Sequence, residues 1–149
     1  MQSPGSLFRV LVATDLSECS INAVRTALMV AERTASAEVV LLHVMDASEQ
    51  DTKVAAMEET ERMSTLLLNE ISKMRNGVAI PSHVRLHCHV VRGVAAQAIV
   101  SEAQAHHSDL VVVGTHGRRG FERLVLGSVA ETVVRLSPCS VLTVKQKST

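Results

Sequence analysis

Three glycines and a serine at fixed spacing are the residues of this chain best suited to chemistry. Gly114, Gly117 and Gly127-Ser128 form the pattern G-x2-G-x9-G-S directly after the apolar run Val111 to Val113. At an average glycine usage of about 7%, such a match arises by chance on the order of once in two hundred chains of this size. A chain that leaves a buried strand through glycine brings its amides close to a ligand, because no Cβ intervenes. Gly127-Ser128 then opens a helix, where free N–H groups and the positive end of the dipole stabilise an anion. The chemistry this predicts is the cradling of phosphate. Neither familiar nucleotide fingerprint is present: no Gly-Lys-Ser/Thr occurs, and Gly114 is followed by Thr115-His116-Gly117 rather than by a dinucleotide-binding pattern.

Other residues invite weaker readings. Arg118, Arg119 and Arg123 lie between the second and third glycines, where they either neutralise phosphates or solvate a surface loop. Ser128 and Glu131 read as S-x-x-E, a capping box that satisfies helix-start amides and leaves others for a ligand. Asp15 ends the first apolar run and serves either a ligand or the start of the next helix, with Ser17 nearby. The ring of His116 is not read as a catalytic base; its backbone N–H is the group of interest. His83, His87 and His89 alternate along one strand face, but no cysteine or carboxylate stands at close spacing, so an exposed strand surface is expected and no metal site is assigned. Ser17 and Cys19 have no His and Asp partners in a recognisable order, so nucleophilic catalysis is not expected.

These residues need elements to hold them. Phe8 to Ala13, Val39 to Met45 and Leu110 to Val113 are short apolar runs rich in β-branched residues, the pattern of strands covered on both faces, and Val141 to Val144 is a fifth strand. His83 to Val91 alternates instead, which predicts a half-exposed edge strand. Helical stripes separate them. The first runs from Ser20 through Ile21, Val24, Leu28 and Ala31, and the second through Met57, Thr60, Met63, Leu67, Ile71 and Met74 to the stop at Asn76-Gly77. A third carries Ala95, Ala96, Ile99, Val100 and Ala103, and a fourth Val129, Val133 and Leu136. Strands alternating with helices predict an α/β doubly wound domain over residues 1–149, five parallel strands with helices on both faces.

The glycine motif resembles that of the ATP-binding branch of the universal stress protein family, matched at each glycine and at the serine. The resemblance extends to Ala13-Thr14-Asp15-Leu16-Ser17-Glu18, to Leu42-His43-Val44 and to the order of elements. It implies strand order 3-2-1-4-5, in which strands one and four are neighbours whose connections leave in opposite directions and open a crevice. It further implies that Asp15 contacts the adenine or ribose side, that Ala13, Val44 and Val113 line the base pocket, and that Gly114, His116, Gly117, Gly127, Ser128, Val129 and Ala130 cradle the phosphates. The expected cofactor is ATP, with Mg2+ or Mn2+ on its phosphates. Members commonly pair through strand five, which implies a homodimer.

Composition narrows the function classes. Fifteen basic and fifteen acidic residues cancel in a chain of 149, and Phe8 and Phe121 are its only aromatics, so a nucleic-acid partner is not expected. No apolar run approaches the ~18 residues of a membrane helix. Met1 to Ser6 carries no readable secretory signal, so a cytoplasmic location is expected. Cys19, Cys88 and Cys139 are odd in number and widely spaced, as unpaired thiols are. The leading reading is an ATP-binding sensor or regulator in stress response. A slow ATPase or phosphotransfer enzyme is the alternative; it needs a group to orient the nucleophile, and no residue is assigned that task. A dimeric scaffold with a vestigial site is the third, against which the complete glycine motif speaks.

Overall fold

The run Phe8–Ala13 forms β1, the central strand of a five-stranded sheet ordered β3-β2-β1-β4-β5 in this computed structural model, which describes residues 6–46, 52–116 and 126–146. The other elements follow in strict alternation: α1 Glu18–Glu32, β2 Ala37–Met45, α2 Lys53–Met74, β3 Val84–Arg92, α3 Ala95–Ala105, β4 Leu110–Gly114, α4 Ser128–Leu136 and β5 Ser140–Val144. Each strand pair is parallel, with Val12 level with Leu41 on one side and Val112 on the other. The expected fold and strand order are those observed.

The period of two along β1 divides the core. Val10 and Val12 point to the layer of α1 and α2, where they meet Ala23, Val24, Ala27, Leu28, Ala31, Leu67 and Ile71. Leu11 points to the other layer, with Ala96, Ile99 and Ala103 of α3 and Ala130 and Val133 of α4. Burial on both faces is why β1, β2 and β4 read as continuous apolar runs. At fully buried leucines such as Leu11, Leu28 and Leu41, truncation to alanine costs about 2–5 kcal/mol.

Two helices depart from their predicted stripes. Only Leu67 and Ile71 of α2 are buried, while Met63 and Met74 are partly buried against the core and Met57 is 67% exposed. In α4 the buried residues are Ala130 and Val133, and Val129 and Leu136 are exposed. At the end of α2, Asn76 and Gly77 adopt φ 51° and 76°, the left-handed exit expected of that pair. Among the described residues no helix is long and apolar enough to cross a membrane.

Candidate nucleotide crevice

The crevice lies at the carboxyl ends of β1 and β4. Val12 pairs with Val112, so Ala13 and Val113 end side by side, and the chain leaves β1 toward α1 and β4 toward α4 on opposite faces of the sheet. This is the topological switch point at which open α/β sheets bind ligands. Val113 and Ala130 are buried in the α3/α4 layer, and Ala13 and Val44 pack against that same cluster half-buried. Ala13, Val44, Val113 and Ala130 thus share one apolar cluster on the α3/α4 side of the sheet.

The rim at β1 is tightly bonded to itself. The Thr14 hydroxyl accepts from the Leu16 N–H at 3.1 Å and lies 3.0 Å from the Ser20 hydroxyl. Ser20 Oγ donates to the Ser17 carbonyl at 3.0 Å and accepts from the Asp15 N–H at 3.3 Å, so Thr14 must be the donor between the two hydroxyls. Asp15 Oδ1 accepts from the Ser17 N–H at 2.9 Å, and the Ser17 hydroxyl caps α1 by accepting from the Ser20 N–H. Leu16 is held at φ 66°, a conformation costing a non-glycine residue about 1–3 kcal/mol, and its side chain packs on the α1/α2 core. His43, nearly buried on β2, donates from Nδ1 to the Thr14 carbonyl at 2.7 Å, which fixes that nitrogen as protonated. Thr14, Ser20 and His43 received no role from the sequence, although the spacing T-D-x-S-x-x-S was available to suggest one.

The rim at β4 is built differently. Gly127 is the N-cap of α4, and with no side chain it makes no cap bond. Ser128 is therefore the first helical residue, and the expected capping box of Ser128 and Glu131 is not formed: the serine stands one residue too late to reach back over the helix start. The Glu131 N–H donates to the Gly127 carbonyl at 2.9 Å, closing the first turn of the helix. The amides of Ser128, Val129 and Ala130 are those that a helix start leaves without intrahelical acceptors.

Two glycines of the motif are explained by the approach of protein atoms. A Cβ on Gly114 would lie 2.9 Å from Cys19 Sγ and 3.2 Å from the Cys19 backbone, so this glycine lets the first turn of α1 settle on the end of β4. A Cβ on Gly127 would lie 2.8 Å from the Thr115 carbonyl, to which the Gly127 N–H donates at 2.6 Å. That bond closes the two limbs of the loop. Beyond it, Thr115 Oγ1 and His116 Nδ1 lie 3.0 Å apart, and the Thr115 N–H donates to the Val144 carbonyl of β5 at 3.0 Å. Gly117, Arg118, Arg119 and Arg123 lie outside the described residues.

The cysteines are unpaired. Cys19 is buried against Val144 and Thr115, and burial pushes the Cys88 thiol above its usual range, so it stays neutral.

Comparison with known proteins agrees with this architecture. Residues 7–145 match the model of the universal stress protein family. Universal stress protein MJ0531 of Methanocaldococcus jannaschii is 35% identical over 142 residues, covering 93% of this chain and 82% of the relative. The solved structure of MJ0577 superposes with a TM-score of 0.73 at 28% identity, covering 95% of this chain and 97% of that one. A universal stress protein solved in complex with cAMP superposes with a TM-score of 0.68 at 25% identity, covering 91% of this chain and 95% of that one.

Proposed function

The chain belongs to the universal stress protein family, and from that premise we propose that it binds ATP at the β1/β4 crevice and acts as a nucleotide-dependent regulator. The adenine lies on the floor of Ala13, Val44 and Val113, and Asp15 accepts from the ribose. The phosphates, carrying Mg2+ or Mn2+, lie against the amides of Ser128, Val129 and Ala130 and the segment Gly114 to Gly117. The observation that carries this reading is the start of α4, a helix N-terminus without a side-chain cap set beside the switch point of the sheet. α3 also begins without a side-chain cap, at Val94, but β3 lies at the sheet edge away from the β1/β4 switch point. A structural neighbour carries an adenine nucleotide, cAMP.

We read the site as one for binding; the alternative, slow hydrolysis or phosphotransfer, needs a group to orient the nucleophile, and no residue is assigned that task. Calorimetry of nucleotide-free protein with ATP and Mg2+ tests the reading: saturable heat is expected, and none at millimolar ligand overturns it. The chain has no Trp or Tyr, so the absorbance of a copurified adenine stands clear of the protein's own.

We further propose a homodimer through β5. The strand ends the sheet with β4 as its one partner, and Ser140 to Val144 contains neither a charge nor a proline to discourage edge pairing. On the neighbouring α4, Val134 and Leu136 are about half exposed. Sedimentation as a dimer at micromolar concentration is expected, and a folded Leu142→Pro variant, which loses a ladder donor, should sediment as a monomer.

A further inference from the structure

The pleat of β3 sends Cys88 to the α1/α2 layer and its neighbour His89 to the opposite side, where α3 crosses. There His89 meets Glu102 and His106, which stand four residues apart and so share one face of α3. Glu102 Oε2 lies 2.9 Å from His89 Nδ1 and 3.3 Å from His106 Nε2, and the two nitrogens are 3.4 Å apart. The rings stand edge to face at 86°. Three donor atoms from two elements thus converge on one point.

Their separations match a metal's coordination sphere. An ion about 2.0–2.1 Å from each donor places tetrahedral ligands about 3.3–3.4 Å apart and adjacent octahedral ligands about 2.9 Å apart. The three observed distances lie between those limits. Without an ion the arrangement is awkward. If both rings donate to Glu102 Oε2, two N–H groups face each other at 3.4 Å; if only one donates, its single N–H is shared between the carboxylate oxygen and the other ring's nitrogen. A cation uses all three lone pairs together.

We propose that His89, Glu102 and His106 bind one divalent transition-metal ion of the zinc, cobalt or nickel type. Two imidazoles disfavour calcium and magnesium, which take oxygen ligands, and the absence of a thiolate from the triad disfavours the softest ions. The side chains of His89 and His106 are 44% and 35% exposed, so the ion has access from solvent and keeps water in its remaining position. It would pin α3 to the edge strand of the sheet. His89 is level with Leu42 and Ala13, but β3 is the sheet edge, with β2 between it and β1, so the triad is a site beside the β1/β4 crevice and separate from it. The sequence held two of the three ligands in Glu102-x3-His106; the third, His89, comes from the preceding strand.

Zn2+ titrated calorimetrically into tag-free, chelator-treated, nucleotide-free protein should bind at one equivalent with micromolar or tighter affinity and raise the melting temperature. Co2+ should give visible d–d absorption that Zn2+ displaces. Glu102→Gln and His106→Ala should each weaken Zn2+ at least tenfold and abolish the Co2+ band, whereas His87→Ala, on the same strand face but 3.2 Å from Glu38, should change neither. Absence of stoichiometric binding, or equal affinity in the triad variants and the parent, overturns the proposal. A folded Glu102→Gln variant with parental melting temperature in the metal-free state keeps loss of binding distinct from loss of fold.

Discussion

α1 and α4 both begin where a chain leaves adjacent parallel strands, and their starts are built in opposite ways. At α1 the Ser17 hydroxyl takes a helix amide, Asp15 takes the Ser17 N–H, and Thr14 and Ser20 bond one another beneath them. Protein acceptors engage much of that turn. At α4 the cap position is Gly127, pressed too close to the Thr115 carbonyl to carry any side chain, and among the described residues no side chain caps the helix. A cap contributes about 0.5–2 kcal/mol to a helix, so omitting one is a cost to the fold. The comparison teaches that stability and anion binding compete for the same amides. Under the proposed function, this chain gives one helix start to each.

The largest effect expected from testing that contrast is at the joint between the two starts. Gly114→Ala places a Cβ against Cys19 in the first turn of α1 and should cost about 1–3 kcal/mol, lowering the melting temperature by about 2–4 °C per kcal/mol. ATP binding should weaken with it, because β4 carries one rim of the crevice. The companion Cys19→Ala removes the nearest atom, and a double-mutant cycle should show partial recovery. Additive losses would mean that the two turns are not in register as described.

Next comes a change that separates fold from ligand. Ser128 is exposed in the first turn of α4, so Ser128→Asp should leave stability unchanged or raise it by about 0.3–1 kcal/mol through the dipole. The same charge repels phosphate, and ATP affinity should fall at least about tenfold, roughly 1.4 kcal/mol. Calorimetry beside thermal melting reads both. Undiminished affinity would move the phosphates away from α4. Zn2+ binding at His89, Glu102 and His106 should survive this variant, since that site lies at the β3 edge, with β2 and β1 between it and β4.

The mirror-image experiment is Ser17→Ala. Loss of this cap should cost about 1 kcal/mol and leave ATP affinity as it was. A matching fall in affinity would show that the ligand also leans on the start of α1.

Much of this was legible in the sequence because it depends on periodicity. Buried β1, β2 and β4 and half-exposed β3 follow from runs and alternation, and the crevice follows from the order of elements. The parts that were not legible depend on distance across the fold. S-x-x-E at Ser128 carries the composition of a capping box, but the close approach of Thr115 to Gly127 moves the cap one residue earlier. Gly114 reads as ligand-facing until Cys19, nearly a hundred residues away in the chain, is seen against it. The surplus exposure of Met57 and Leu136 has the same origin, since an apolar stripe says which face is suitable for burial but not how far the neighbouring layer extends.

The smallest expected effect is the most discriminating, and it concerns Asp15. Its Oδ1 accepts from the Ser17 N–H, so Asp15→Ala would disturb the α1 start and the crevice together and could not tell one role from the other. Asp15→Asn keeps a carbonyl oxygen for that N–H while removing the charge and turning the second oxygen into a donor. If the second oxygen serves the ribose, affinity for ATP should fall about threefold to tenfold, the loss of one hydrogen bond of about 0.5–1.5 kcal/mol, while stability stays within about 0.5 kcal/mol of the parent. Asp15→Ala should then lose both, the difference between the two variants in melting temperature measuring the turn alone. Should Asp15→Asn bind ATP as the parent does, the charge of Asp15 does not serve the ligand, and the ribose must find its acceptor elsewhere on the rim.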